Sequence, residues 1–403
     1  MSISILEGFK RPFIIPGKMG NKKWAKPCVI KKIGKSFAIW FPPSQSFVLL
    51  KSPAIEILRG FEQGKSEIKI ISELIQKTGS NEIEIQNFLK EVLSGFDALM
   101  DSENLPYTSP EIEEEINHFT FSNYAVKFYR INGKSFRIIF GDEILLQHFD
   151  QLFSHLQIES CEDTDFNLEI FLHKNVYLFC QFGSVIEAFR PEQIHYLKGA
   201  VLKKIAGLIY AINEENWMAS FHASAICDGK NAILFSAKPG GGKSTIAALL
   251  QARGYFLLSD DFIALDNQLE HVWNMPMALT IKKGSLKILS SYYPKLNYSV
   301  SQITATGKNV HYLIPKKQES VTGFSFPLKL IVFIRYSKEI QFLVEKISPE
   351  EALIGLLEET WVNPTSKNIK QFLNWFSRQQ YVRITYSDSN LVFDELDKIL
   401  KHD

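Results

Sequence analysis

The 403-residue chain has no apolar run long enough to cross a bilayer, so a helical membrane protein is not the expected class. The first eight residues, Met1 to Gly8, carry Glu7 and lack the apolar core of a secretory signal, which makes a cytoplasmic location the expectation. Cysteine is scarce. Cys28, Cys161, Cys180 and Cys227 are scattered without C-x-x-C spacing, which excludes a disulfide framework and the usual zinc or redox motifs and leaves mostly buried free thiols. Net charge is only +1, so no global field argues for a nucleic-acid or membrane partner. Internal repeats and low-complexity tracts are also missing. What remains is an ordinary globular composition, 45% hydrophobic and 22% charged, on a chain long enough for two or three domains.

The most informative stretch is Asn231 to Thr245. An apolar strand breaks into Ala237-Lys-Pro-Gly-Gly-Gly-Lys-Ser-Thr245, which opens a helix running from Ser244 to about Ala252 and ending before Gly254. Consecutive glycines let backbone N–H groups curl around phosphate oxygens, and the positive end of the following helix points at the same place. Pro239, Gly240, Gly241, Gly242, Lys243, Ser244 and Thr245 are therefore expected to hold a nucleotide. Lys243 is placed on the β- and γ-phosphates and the Ser244 hydroxyl on magnesium. The strict pattern begins with glycine where this chain has Ala237, a small residue at the turn out of the strand.

Upstream, Lys-rich residues 1–35 read either as a solvated basic face or as a binding arm. Ser36–Phe41 and Phe47–Leu50 are expected strands, followed by three short helices. The first starts at Ser52-Pro53 and runs to about Gly60. The second buries Ile68, Ile71, Leu74 and Ile75 and closes at Gly79, and the third is capped by Asn81 with Glu84 and buries Phe88, Leu89, Val92 and Leu93. That is a small winged-helix-like α+β unit over residues 1–100. A Pro- and Glu-rich stretch, 101–117, is the expected linker, and 118–403 the second domain. Within it, strands are expected at Ser135–Phe140, Asn167–Leu172, Val176–Phe182 and Ser184–Phe189, with a long helix from Glu192 to Ile212. A hairpin of Ser220–Ile226 and Ala232–Phe235 then delivers the glycine loop.

Just downstream, Tyr255–Leu258 ends in Ser259-Asp260-Asp261. A carboxylate at the end of a strand adjacent to the loop strand is where nucleotide enzymes hold magnesium. Successive residues on a strand face opposite ways, so one carboxylate can reach the metal and the other an acceptor hydroxyl unless the backbone turns there. His222, on the strand before the loop strand, reads equally as a satisfied core histidine or as a partner of this pair.

These residues carry a resemblance. Phe221-His-Ala-Ser-Ala, the loop Ser236 to Thr245 and Gly254-Tyr-Phe-Leu-Leu-Ser-Asp-Asp-Phe262, with His222 21 residues before Lys243 and Asp260 17 after it, resemble the nucleotide core of the HPr kinase/phosphorylase family of serine kinases. The segments Pro276–Ser285, Val310–Pro315 and Leu330–Arg335 look like pieces of HPr-kinase-related proteins from peptide-modification clusters, and residues 36–97 resemble a PqqD-like peptide-recognition element. The implied fold is an α/β P-loop kinase core of HPr-kinase type with an N-terminal winged-helix-like domain. By that resemblance Asp260 is the general base, His222 its partner and Asp261 a metal or orienting residue. ATP and Mg2+ are the implied cofactors, and a leader peptide gripped by the N-terminal domain is the implied partner. The family's later signature for the reverse phosphorylase reaction is not recognisable here, and its members are often oligomers.

The expected function is then transfer of the γ-phosphate of ATP to a Ser or Thr hydroxyl of a ribosomally made precursor peptide. Two alternatives stay open: a kinase of a small free hydroxyl compound such as serine or a sugar, and a non-catalytic nucleotide-gated peptide binder. Lys282, Lys283 and Arg335 read either as solvated surface charges or as phosphate contacts.

Overall fold

The computed structural model describes residues 29–42, 45–100, 124–303, 307–316, 323–358 and 360–401. The expected linker 101–117, most of the basic segment 1–35 and Cys28 lie outside them. The chain divides into two compact units. One gathers the N-terminal region to Leu105 with Ile347–Glu358 and Val362–Arg378; the other holds Pro106–Lys346, Glu359–Trp361 and Gln379–Asp403. The units therefore do not follow sequence order alone.

In the first unit, strands β1 (Val29–Ile33), β2 (Ser36–Phe41) and β3 (Ser46–Leu50) form an antiparallel meander in that order. Helices α1 (Ala54–Glu62), α2 (Glu67–Thr78) and α3 (Glu82–Met100) follow. Gly79 ends α2 in the left-handed conformation, and the Asn81 side chain accepts from the Glu84 N–H at 2.9 Å to start α3. On α2 the expected Ile71, Leu74 and Ile75 face the core, but Ile70 takes the place of Ile68, which is 81% exposed. Side chains alternate across β2, so Ile39 and Phe41 join the helical core while Ala38 and Trp40 point the other way. All four are buried. The cover on the second face comes from far down the chain, from helices Pro349–Leu357 and Ser366–Phe376. Phe47 packs between the Trp40 ring, 4.6 Å away, and that of Phe372, 6.2 Å away. Lys31 donates to Asn374 Oδ1 at 2.7 Å and the Lys35 N–H to Glu350 Oε1 at 2.6 Å.

The second unit begins with a six-stranded sheet. Its elements are β4 (Ala125–Ile131), β5 (Lys134–Phe140), α4 (Glu143–Phe153), β6 (Gln157–Ile158), β7 (Phe166–His173), β8 (Val176–Gln181) and β9 (Ser184–Phe189), in sheet order β6-β4-β5-β7-β8-β9. Neither β4 nor α4 has a counterpart in the sequence-based expectations. Helix α5 (Ile194–Tyr210) buries Leu197, Val201, Leu202 and Ile205 against this sheet's core.

The remaining strands build a ten-stranded mixed sheet. Along the chain come β10 (Trp217–Phe221), β11 (Ser224–Cys227), β12 (Ala232–Ser236), helix α6 (Lys243–Ala252), β13 (Phe256–Asp260), β14 (Ile263–Asp266) and β15 (His271–Trp273). After them β16 (Leu279–Lys282), α7 (Leu286–Leu289), β17 (Gln302–Ile303) and β18 (Asn309–Leu313) carry a separate three-stranded sheet, and β19 (Ser325–Tyr336) returns to the large one. The large sheet runs β13-β11-β12-β19-β15-β14-β10, and β12, β19 and the strand Gln380–Tyr386 are mutually parallel. Helix α6 buries Ile246, Leu249 and Leu250 on it. Among the described residues no helix is long and apolar enough to cross a membrane.

One expectation needs correction. β13 does not lie beside β12: β11 runs between them, antiparallel to both. The loop strand and the aspartate strand are joined only through the hairpin partner.

Candidate functional site

The loop after β12 is shaped by its glycines. Gly240 and Gly242 take φ of +87° and +102°, a region that L side chains rarely enter. A Cβ on Gly241 would meet Ala237 Cβ at 2.7 Å and the Lys238 carbonyl at 3.0 Å. Position 241 therefore has to be glycine, because the Ala237 methyl and the Lys238 carbonyl leave no room for a side chain. Lys243 opens α6 with a buried side chain, and its ammonium donates to the Ala237 carbonyl at 3.0 Å, holding it against the loop. Pro239 is exposed. Thr245, next to Ser244, shares a hydrogen bond of 2.6 Å with the Ser285 hydroxyl.

The aspartates sit where an antiparallel ladder lapses. Phe221 pairs with Ile263 and Ser224 with Asp260, in one continuous register, but between them β10 ends and β11 begins, and β13 ends and β14 begins. His222 and Asp261 occupy this gap. Asp261 has φ +64°, a left-handed conformation that aspartate tolerates better than most residues, and the turn swings its side chain away from that of Asp260.

The two carboxylates consequently have different company. Asp260 is 2% exposed, and three donors reach it. Ser224, directly across the ladder, donates its hydroxyl to Oδ1; Ser244 from α6 donates to the same oxygen at 3.0 Å; the Thr280 N–H reaches Oδ2 at 3.2 Å. Burial, and then the charge of Asp261, push the Asp260 carboxyl up to about 7, against the pull of these hydrogen bonds. Asp261 is 18% exposed, its Oδ1 3.7 Å from His222 Nε2, while its carbonyl oxygen lies 3.2 Å from His222 Nδ1. Burial opposes its ionisation too, but the charges of Lys198, His222 and Lys243 outweigh that and hold its carboxyl below the ordinary range. Tyr312 stands close enough that burial and the Asp261 charge both raise its hydroxyl.

The structure thus brings together Lys243, Ser244, Asp260, Asp261 and His222, but not in the expected pairing. The hydroxyl expected on magnesium is bonded to Asp260 rather than to Asp261, because the backbone turns between the two acids. Four residues of the site were not singled out in the sequence: Ser224, Thr280, Lys198 and Tyr312. Ser224, Thr280 and Tyr312 lie inside the motif segments Phe221–Ala225, Pro276–Ser285 and Val310–Pro315, and a cross-strand reading of the hairpin could have found the first. Lys198 comes from α5 and leaves no local signal. Among the described residues there is no cluster of three or more His, Cys, Asp or Glu side chains able to hold a metal alone. The donor set does suit magnesium, a hard cation that takes one or two protein oxygens and fills the rest of its shell with water and phosphate.

No family model matches the chain, and no curated protein does. Among solved structures it is similar to the Hpr(Ser) kinase/phosphatase from Coxiella burnetii, at 13% identity and a TM-score of 0.23, over 46% of this chain and 94% of that one. A likeness that distant says nothing about individual residues.

Proposed function

We propose that the second unit is an ATP-dependent phosphotransferase acting on an alcohol group, and that its acceptor is a Ser or Thr hydroxyl of a precursor peptide captured by the first unit. The observation that carries this reading is the hydrogen bond from Ser244 Oγ to Asp260 Oδ1, which ties the glycine loop to the aspartate pair and leaves Asp261 and His222 beside it. Magnesium-bound ATP, when present, supplies the phosphoryl group and neutralises its developing charge. Backbone amides of Gly240 to Ser244 and the Lys243 ammonium would hold the phosphates, and Ser244 with Asp260 would hold the cation.

The division of labour is the reverse of the one the family resemblance implies. Asp260, buried and bonded to the loop serine, belongs on the magnesium side. Asp261, partly open and paired with His222, belongs on the acceptor side, where it takes the hydroxyl proton. The charges of Lys198, His222 and Lys243 keep this carboxylate ionised but make it a weak base, which suffices because phosphoryl transfer has a loose transition state and the hydroxyl proton leaves late, and His222 orients it. An alkyl hydroxyl is a poor nucleophile, so the acceptor has to be held in place by contacts elsewhere. The first unit would offer a route: β3 pairs with β2 and with no other described strand, and an extended peptide can add to such an edge strand by main-chain hydrogen bonding. Capture there raises the effective concentration of a tethered hydroxyl.

The test combines labelled ATP with the full chain and synthetic precursor peptides. Phosphorylated peptide, together with slowed amide exchange at Ser46–Leu50 when peptide is added, is the expected result. Phosphorylation with unchanged exchange at β3 would keep the kinase and remove the peptide-capture role. ATP turnover on free serine or a sugar in preference to peptide would replace the acceptor.

A further inference from the structure

The segment 271–318 contains no acidic residue and no arginine, yet it holds seven lysines. In a chain with 44 Asp and Glu against 45 Lys and Arg, so long a stretch of one sign is unusual; residues 8–55 are the other, and they include Arg11. The segment 271–318 is also bound to the site. Thr280 in β16 donates its N–H to Asp260, and Ser285 is hydrogen-bonded to Thr245 beside the loop serine. Between and beyond those two anchors, Lys282, Lys283, Lys287 and Lys295 are all exposed. The chain from α7 onward makes successive helical turns that bury Leu289, Tyr293 and Leu296. Those turns leave Ile288 and Tyr292 about 40% open, and past them Tyr298 and Val300 are 89% and 79% exposed. The result is a run of exposed lysines interleaved with apolar side chains that starts between Thr280, bonded to Asp260, and Ser285, bonded to Thr245.

We infer that this surface, Lys282 to Val300, docks the acceptor itself, as a peptide segment carrying acidic residues together with apolar ones around its hydroxyl. The inference rests on the phosphotransferase reading and adds the acceptor's chemistry to it. Charge complementarity chooses the partner. Lysine ammonium groups on flexible stems match carboxylates spread along a peptide, while the exposed Ile288, Tyr292, Tyr298 and Val300 offer apolar contacts that a carboxylate-only ligand would not use. Nucleic acid is the weaker match. Surfaces that bind phosphate backbones and bases draw heavily on the planar guanidinium of arginine, of which this stretch has none, and the net charge of the chain is only +1. The face also sits beside the phosphoryl end of the site, where an acceptor has to arrive. Specificity would then have two parts, with residues far from the hydroxyl read by the first unit and residues near it read by this lysine surface.

The experiment uses the full chain and two fluorescent peptides of equal length, each with one serine flanked by phenylalanine and leucine, one rich in glutamate and the other its glutamine isostere. Fluorescence anisotropy at low salt should show the glutamate peptide binding about tenfold tighter or more, since several exposed charge pairs of modest individual strength add. The variant Lys282→Ala/Lys283→Ala/Lys287→Ala/Lys295→Ala should abolish that preference, keep its melting temperature and leave ATP affinity by calorimetry unchanged. Equal binding of the two peptides overturns the inference. So does a variant that loses ATP affinity, which would assign the lysines to the nucleotide, or tighter binding of a labelled single-stranded oligonucleotide or of anionic lipid vesicles than of the glutamate peptide. The two levels of the proposal separate cleanly: glutamate preference without any ATP heat leaves the docking surface and removes the kinase, whereas phosphorylation indifferent to glutamate does the opposite.

Discussion

The glycine-loop site and the three-stranded sheet of the first unit are built over very different distances along the chain. Around the loop, the bonded groups lie within about forty positions of each other: Ser244 and Asp260 are 16 apart, Ser224 and Asp260 36, Thr245 and Ser285 40. The sheet of the first unit depends on partners 315 and 343 positions away, Glu350 for Lys35 and Asn374 for Lys31. The difference teaches where each region is vulnerable. The site should fail by single substitutions that leave the fold intact, while the sheet should fail by loss of its distant cover. Deleting residues 1–100 is consequently a poor test of peptide capture, because it would bare the apolar faces of helices Pro349–Leu357 and Ser366–Phe376.

Substitutions ordered by effect sharpen that contrast. Lys243→Ala removes a buried ammonium from the loop and should abolish measurable phosphoryl transfer while shifting the melting temperature little, as seen by labelled-ATP assay and thermal melt. Asp261→Asn should lower kcat by about 10²–10⁴-fold with magnesium–ATP affinity retained, the scale of a lost general base. Asp260→Asn should instead weaken magnesium-dependent binding. The reverse pattern in these two variants would restore Asp260 as the base. In the first unit, Phe372→Ala truncates a fully buried ring and should destabilise by about 3–5 kcal/mol in a denaturant titration, with ATP affinity unchanged. A proportionate loss of ATP affinity would break the comparison.

The fourth effect is a pH slope. A carboxyl raised in the folded state stabilises it in the protonated form, so the contribution of Asp260 is complete below the ordinary carboxyl range and is lost as pH rises through about 7. In chelator, wild type should therefore lose stability relative to Asp260→Asn between about pH 4 and 8, read as the difference between their melting temperatures. The smallest effect is Lys31→Ala, which removes one hydrogen bond to Asn374 and should cost about 0.5–1.5 kcal/mol.

The same contrast decides what could be read from the sequence. The loop, α6 and the acid pair are legible because glycine conformations, helix capping and strand ends are local properties, and the order of residues displays them. The α3 cap at Asn81 and the stop of α2 at Gly79 are legible for the same reason. Insertion of β11 between β12 and β13 is not legible, since nothing in a hairpin's own sequence says which edge its next neighbour takes. The swap of company between Asp260 and Asp261 hangs on a single left-handed residue, for which the chain carries no glycine as a signal. Burial of Ile70 in place of Ile68 on α2 is not legible either, since both positions fit a helical period with Ile71, Leu74 and Ile75. Lys198 and the returning helices 349–376 are contributions from long range, invisible to any local pattern.

Calorimetry of ATP binding tests the central claim most directly. With magnesium present, the full chain should give a saturable heat that falls sharply in EDTA and disappears in Lys243→Ala, as the proposed magnesium–nucleotide site of the loop and Asp260 requires. Absence of heat with ATP, GTP or any other nucleoside triphosphate, or a heat equal in wild type and Lys243→Ala, would contradict it.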